Sequence, residues 1–307
     1  MQIGLVIKVT GNLYNVKTDK GIYKCKIRGK IRLEESKSTN PIVVGDKVEI
    51  VSENNADDYV ITNILERKNH IVRKATNLSK QTHVIAANID QAVLIATLIN
   101  PKTSTMFIDR YLVTCEAYSI KAVIVFNKTD LYTPDLMNHM HDLINTYEKI
   151  DYKCLAVSAI NNENINALKE VLNNKVSLLS GHSGVGKSTL INIIEPKLKL
   201  KTQKISDYHL KGKHTTTFSE MHSLSEGGYI IDTPGIKGFG LVHFKKNELF
   251  HFFPEIFKLT EKCQYYNCTH FHEPGCAVKN AVETNEISYS RYENYINLLL
   301  EDDNKHR

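Results

Sequence analysis

The sequence contains no long hydrophobic run. Its uninterrupted apolar stretches, such as Ala122–Phe126, fall far short of the about 20 residues a membrane-spanning helix needs, so no membrane partner is expected. The opening residues, MQIGLVIKVTGN, lack a basic segment, a sustained apolar segment and a small-residue cleavage site. A secreted product is therefore not expected, and the cytoplasm is the expected location. There is no internal repeat and no low-complexity tract, which argues against a solenoid and against wholesale disorder. Cysteines number six, too few and too unevenly placed for a disulfide scaffold. Cys25, Cys115 and Cys154 are scattered and read as small core residues, whereas Cys263, Cys268 and Cys276 fall close together. In a chain without a secretory signal, that clustering points to a metal before disulfides.

What is present is the composition of a soluble globular protein, with 42% hydrophobic and 24% charged residues in 307. At roughly 100–200 residues per domain, two or three domains are expected. The net charge of +5 is unevenly distributed. Residues 1–74 carry 14 lysines and arginines against 9 acidic residues, while residues 246–307 carry 7 against 10. The basic first quarter suits a polyanionic partner, and a solvated basic face is the plainer alternative.

Residues 1–66 read as five short strands (IGLVIKV, YNVKT, IYKCKIRGKI, KVEIV, YVITNI) separated by Gly-, Asn- and Asp-rich turns. That count suits a small closed barrel. An OB-fold and an SH3-like barrel both fit the pattern. Its basic residues Lys24, Lys26, Arg28, Lys30 and Arg32 are candidate RNA contacts. Aromatics are few, so backbone and shape recognition is expected more than base stacking. From about residue 84, apolar strand-like runs (AVLIATL, KAVIVF, KCLAVS, VSLLS, GYIID) alternate with helical stretches. Such alternation predicts a parallel sheet covered on both faces. After Gly240 the pattern turns helical and irregular and ends in a helix over about 286–301.

Four motifs carry chemistry. Gly181-His182-Ser183-Gly184-Val185-Gly186-Lys187-Ser188 matches G-x-x-x-x-G-K-[ST] between a strand and a helix that opens with Thr189. Its glycines let backbone N–H groups face phosphate oxygens, Lys187 can reach the β- and γ-phosphates, and Ser188 can bind Mg²⁺. Asp232-Thr233-Pro234-Gly235 follows an apolar strand, where Asp232 can serve Mg²⁺ and the Gly235 N–H can sense a γ-phosphate. Asn127-Lys128-Thr129-Asp130 also follows a strand. Its Asp130 carboxylate can accept from guanine N1–H and N2–H₂, a donor pair that adenine lacks, which selects GTP over ATP. The Lys128 stem can cover the base, Asn127 can tie this loop to the phosphate loop, and Ser158-Ala159 can present an N–H to guanine O6. His214-Thr215-Thr216-Thr217 lies in a polar stretch between the phosphate loop and Asp232; Thr216 is the expected switch threonine for Mg²⁺.

The order of these pieces is unusual. In ordinary GTPases the phosphate loop comes first and the base-recognition loops last. Here residues 127–130 and 158–159 precede 181–188, and 232–235 come at the end. Because each loop still caps a strand, the same sheet can be built with its chain ends moved. With these motifs in this order, followed by Cys263-x₄-Cys268-x-His270-x₅-Cys276, the chain resembles the circularly permuted GTPases. It is most similar to the RsgA (YjeQ/YloQ) family of small-ribosomal-subunit biogenesis GTPases. The resemblance implies an OB-fold over 1–68, a permuted GTPase domain over 69–242 and a zinc-binding domain over 243–307. It also implies GTP hydrolysis stimulated by the small (30S) ribosomal subunit and its 16S rRNA, late in subunit maturation. The expected ligands are GTP and GDP with Mg²⁺ and one structural zinc, and a monomer is expected. Two alternatives are a permuted GTPase acting on another ribonucleoprotein and a nucleotide-sensing RNA-binding protein with little turnover.

Three thiols and an imidazole make a closed tetrahedral Cys₃His site, the structural kind of zinc site. His272 competes with His270 by spacing, and the resemblance selects His270, giving Cys263, Cys268, His270 and Cys276 as ligands. Where a water-orienting Gln should follow Asp232-Thr233-Pro234-Gly235, the chain has Ile236, which cannot orient water. His214 is the candidate catalytic residue, with contact to phosphate or RNA as its alternative role. The expectation is a slow enzyme alone and a faster one when docked. Since the segment after Gly235 leads into the zinc domain, that domain is expected to respond to the γ-phosphate.

Overall fold

The computed structural model describes residues 1–27, 41–53, 59–74, 82–200, 220–232 and 246–301. Strands β1 (Gln2–Thr10), β2 (Leu13–Thr18), β3 (Gly21–Ile27), β4 (Lys47–Ser52) and β5 (Tyr59–Ile64) form where β-branched residues alternate with polar ones. Alternation turns Val6, Val16, Cys25, Val48, Ile50 and Ile61 into one core. β1 pairs antiparallel with β2 and with β4, β2 with β3, and β4 with β5. β3 pairs with β5 in parallel, which closes the circuit. This pairing order is that of an OB-type barrel and decides between the two barrels that the strand pattern allows.

β6 (His70–Lys74) and β7 (Thr82–Ala87) form an antiparallel ribbon absent from the sequence reading. It sits directly on the barrel. Val44 bridges Ala86, and a Cβ on Gly45, whose φ is +92°, would lie 2.0 Å from the Ala87 carbonyl oxygen. Only glycine allows that approach. The fully buried Asp46 carboxylate takes two bonds from Arg67, Nε at 2.6 Å and Nη2 at 2.7 Å, and so ties the barrel to the start of this connection.

The central unit contains, in chain order, β8 (Gln91–Ala96), α1 (Thr105–Ala117), β9 (Lys121–Phe126), α2 (Pro134–Glu148), β10 (Lys153–Ala156), α3 (Ile165–Leu172), β11 (Val176–Ser180), α4 (Lys187–Ile194), β12 (Glu220–Ser223) and β13 (Tyr229–Asp232). β10, β9, β8, β11 and β13 lie parallel in that order. Leu94, Ile124, Leu178 and Ile231 face α1 and α2 through Ile108, Tyr111, Met140 and Leu143. Val93, Ile95, Val125, Leu179 and Ile230 face α3 and α4 through Leu168, Val171, Leu190 and Ile191. Both faces of the sheet are buried, which is why its strands are apolar throughout. The parallel sheet expected from the alternation is extended by one strand of the opposite sense. β12 runs antiparallel beside β13, and its Glu220 also pairs with Lys8 of β1, so barrel and central sheet are hydrogen-bonded into one.

The C-terminal unit holds a 3-10 segment over Lys246–Phe252, then α5 (Pro254–Thr260), α6 (Ala277–Glu283) and α7 (Tyr289–Leu300). Its core of Leu249, Phe253, Ile256, Val278, Tyr295 and Leu298 includes Val113 from α1. Cys25, Cys115 and Cys154 are buried, unpaired core residues, as expected. Among the described residues no helix is long and apolar enough to cross a membrane.

Candidate functional site

The connections leaving β8, β9, β10 and β11, and the last residue of β13, lie at the C-terminal edge of the parallel sheet, where an open α/β sheet presents its ligand site. The loop after β11 wraps the start of α4. Gly181, Gly184 and Gly186 have φ values of +148°, +87° and +95°. At Gly186 a Cβ would stand 2.4 Å from Asn127 Nδ2, so the crossing of these two loops requires glycine. His182 stacks on Phe107 of α1 with ring centroids 4.0 Å apart. Lys187 donates to the carbonyls of Gly181 (2.6 Å) and His182 (3.0 Å), placing an ammonium across the mouth of the loop. Burial lowers its pKa, and the nearby Asp232 carboxylate opposes that. Ser188 and Thr189 open α4 directly behind it.

Asn127 is almost wholly buried and does what its position predicts. Its Nδ2 donates to the Val185 carbonyl at 2.8 Å, joining the base loop to the phosphate loop. Its Oδ1 accepts from the Ala159 N–H at 3.3 Å. Asp130 accepts from the Ser158 hydroxyl at 2.5 Å, which aims its carboxylate. Thr129 Oγ1 donates to Glu163 at 3.3 Å, and Lys128, in left-handed backbone at φ +67°, donates to the Asn100 carbonyl. The structure thus brings together Asn127–Asp130, Ser158, Ala159, Gly181–Thr189 and Asp232.

Asp232 ends β13. Its Oδ1 is buried with no hydrogen-bond partner among the described residues. Desolvation raises its pKa, and Lys187 and His222 work against the rise. A buried carboxylate oxygen without a donor, beside the lysine and serine of a phosphate loop, is the chemistry that a divalent cation satisfies. His214, Thr216 and Gly235 lie outside the described residues, as do Arg28, Lys30 and Arg32.

The loop Thr97–Thr103, for which none of the four motifs speaks, props both the base loop and the phosphate loop. Thr97 and Thr103 clasp it, with the Thr103 N–H donating to the Thr97 carbonyl at 2.7 Å and the Thr97 N–H donating to Thr103 Oγ1 at 3.1 Å. Asn100 holds Lys128, and Pro101 Cδ lies 3.5 Å from where a Gly184 Cβ would stand. The signal was an Asn-Pro pair directly after an apolar strand.

Cys263, Cys268, His270 and Cys276 converge in the C-terminal unit, their ligating atoms all within 4.8 Å of one another. His270 Nδ1 lies 3.5 Å from the sulfurs of both Cys263 and Cys276, and those sulfurs are 4.0 Å apart. A tetrahedron with Zn–S near 2.3 Å and Zn–N near 2.05 Å has edges of about 3.8 and 3.5 Å, so the four groups fit one zinc ion. His272 is not among them; it stacks on Phe271 at 3.7 Å. The knuckle is held by Glu273, whose carboxylate accepts from the Thr269 N–H and hydroxyl and the Phe271 N–H. Those donors outweigh the effect of desolvation and lower its pKa to about 2. From α7, Tyr292 and Tyr295 donate to the carbonyls of His270 and Thr269, each at 2.7 Å. His270 Nε2 lies 3.4 Å from the Thr260 hydroxyl, a partner for the ring nitrogen that faces away from the thiols.

A second cluster joins this unit to the central domain. Buried Arg291 of α7 donates through Nη1 to Asp109 of α1 at 2.6 Å and through Nε to Glu255 of α5 at 2.8 Å. Asn294 and Tyr147 complete the shell of Asp109 at 2.6 and 2.9 Å. Burial opposes the charged guanidinium, yet the two carboxylates raise its pKa above the ordinary value and keep it cationic.

Comparison with known proteins agrees with this geometry. A model of the RsgA GTPase family matches residues 64–242, and a model of the RsgA N-terminal domain matches residues 3–60. A protein of Phocaeicola vulgatus named small ribosomal subunit biogenesis GTPase RsgA is 56% identical over 96% of each chain. One of the same name from Flavobacterium psychrophilum is 50% identical over 99% of this chain and 94% of that one. The solved structure of YjeQ from Thermotoga maritima superimposes with a TM-score of 0.79 at 37% identity, covering 97% of both chains. That of YloQ, a circularly permuted GTPase, does so with 0.76 at 28% identity, covering 97% of this chain and 94% of that one. The chain belongs to the RsgA GTPase family and is a circularly permuted GTPase that hydrolyses GTP.

Proposed function

We propose that this chain binds the small ribosomal subunit, hydrolyses GTP late in the subunit's maturation, and is stimulated by the subunit as it does so. The observation that carries the reading is the convergence of a guanine-type base loop, a phosphate loop and a zinc-type knuckle in one chain whose relatives bear that name. The working units are 1–68, 69–242 and 243–307, acting as a monomer in the cytoplasm.

In this reading Asp130 accepts from guanine N1–H and N2–H₂, with the Ser158 hydroxyl donating to its Oδ1 and fixing its orientation. Guanine O6 shares the Ala159 N–H with Asn127, Thr129 steadies the turn, and the Lys128 stem covers the base. The backbone of Gly181, His182, Ser183, Gly184, Val185 and Gly186 cradles phosphate, and Lys187 turns from its carbonyl partners to the β- and γ-phosphates. Ser188, Thr216 and Asp232 would hold Mg²⁺, which would neutralise phosphate charge when bound, while Thr189 and Gly235 would complete the nucleotide contacts. With Ile236 in place of a polar residue, His214 orients the attacking water, and the docked subunit improves its placement. The 16S rRNA meets the basic barrel, where Lys24 and Lys26 project from β3.

Co-sedimentation tests the partner. With a non-hydrolysable GTP analogue the chain should pellet with small subunits and not with large ones. The affinity should fall steeply with salt, as phosphate contacts require. Equal binding to both subunits would defeat the assignment.

A further inference from the structure

We infer that Tyr132 is a positioning residue for guanine recognition, its hydroxyl fixing residues 127–131 in the shape that presents Asp130 to the base. The inference rests on the reading that this loop receives guanine. The Tyr132 hydroxyl donates to the Asn127 carbonyl at 2.9 Å and accepts from the Leu98 N–H at 2.9 Å. One phenol oxygen thus joins the first residue of the base loop, the residue just past its end, and the loop that follows β8.

Asn127 has four polar groups, and each is held by a different part of the fold. Its N–H donates to the Ala96 carbonyl at 2.8 Å, Nδ2 reaches the phosphate loop, and Oδ1 reaches Ala159. Its carbonyl is held by Tyr132. That bond closes residues 127–132 into a ring, within which a 3-10 turn runs over Thr129–Leu131. The Leu131 N–H donates to the Lys128 carbonyl at 3.0 Å and the Tyr132 N–H to the Thr129 carbonyl at 3.1 Å. Asp130 sits at the middle of this turn. Lys128 enters it in left-handed backbone, which a β-carbon disfavours, so the turn needs an external restraint to keep that shape. The tyrosine ring packs against the core on the α1–α2 face, so the hydroxyl has a fixed origin. Burial raises its pKa, which keeps the donor proton in place.

Tyr132→Phe removes the hydroxyl and keeps the packing. It leaves the Asn127 carbonyl and the Leu98 N–H, both in buried residues, without this partner. The loop can then tilt Asp130 without disturbing Lys187. KM for GTP and Kd for GDP should rise about tenfold, with kcat changed less than about twofold, because the loss is in base binding and not in the transition state. Inosine triphosphate lacks the 2-amino group and forms one fewer bond to Asp130, so its KM should rise less and the GTP-to-ITP preference should shrink.

Asp130→Asn is the control. An amide can donate to the 2-oxo group of xanthine, so this variant should move preference from GTP to XTP. Adding Tyr132→Phe to it should cost little more with GTP, since the guanine contact is already gone. If Asp130→Asn fails to shift the base preference, the base-loop reading falls, and the inference with it. If that shift occurs but Tyr132→Phe leaves the GTP KM and the GTP-to-ITP ratio at wild-type values, the hydroxyl serves stability alone and the inference is wrong. A fall in kcat at unchanged KM, or full additivity of the two substitutions, would overturn it as well.

Discussion

Arg291→Ala should release the C-terminal unit from the GTPase domain. Arg291 is 1% exposed and holds two carboxylates that are themselves buried, Asp109 and Glu255. Removing the cation leaves both as uncompensated buried charges, which typically destabilises by about 3–5 kcal/mol. It also leaves a void beside Phe253, over whose ring the guanidinium lies at 4.6 Å. At about 1.4 kcal/mol per factor of ten, amides of α5 and α7 should exchange with solvent roughly a hundredfold faster or more. The amides of β8 and β9 should change little. The Arg110–Glu301 pair is the internal comparison, because it joins the same two units from partly exposed positions. Arg110→Ala should cost no more than about 1 kcal/mol, since solvent screens such pairs. Equal exchange in the Arg291→Ala and Arg110→Ala proteins would show that the buried cluster is not what fastens the unit. The expected swing of the zinc domain with the γ-phosphate is narrowed by this contact, because any such motion must either carry α1 along or break the cluster.

Zinc removal should have a larger effect in the same place. α5 and α6 are each 7 residues long, too short to be stable alone. The knuckle between them contains little repeating structure beyond the four converging ligands and the Glu273 turn. Burial pushes the Cys268 thiol up to about 12, so a thiolate there depends on a cation. Structural zinc sites bind with an apparent free energy of about 10–16 kcal/mol near neutral pH, comparable with the whole stability of a domain. The purified protein should carry one zinc per chain. A strong chelator should remove it with loss of helical circular dichroism and of exchange protection over α5–α7, and added zinc should restore both. Cys276→Ser should reproduce the loss, whereas His272→Ala should not, because His272 stands outside the ligand group. Full retention of structure and exchange protection after zinc loss would contradict a structural metal.

These two clusters show what the sequence makes legible. The phosphate loop, the base loop and the zinc ligands are local patterns: their partners lie within a few residues, or each motif caps a strand that its own apolar run announces. Even His270 against His272 is a choice between neighbours, and it is His270 that converges with the three thiols. The barrel strands were legible one by one, but closure was not. It depends on Cys25, Lys26 and Ile27 pairing in parallel with Tyr59, Val60 and Ile61, and alternation within a strand says nothing about that. β12 was hidden for a related reason: EMHS is short and polar, and only its partners on either side make it a strand. Arg291 and Tyr132 were illegible because their partners are remote, Asp109 at 182 residues and Leu98 at 34. In the sequence, Arg291 is one charge on an amphipathic helix and Tyr132 one aromatic after a turn.

The central claim, a GTPase whose chemistry is completed by the small ribosomal subunit, is tested most directly by phosphate release from GTP and ATP with and without purified small subunits. The account predicts slow release from GTP alone, a large acceleration by small subunits, little effect of large subunits, and no comparable activity with ATP. His214→Ala should remove most of the acceleration while GTP binding persists. Release from GTP that small subunits leave unchanged would contradict the account.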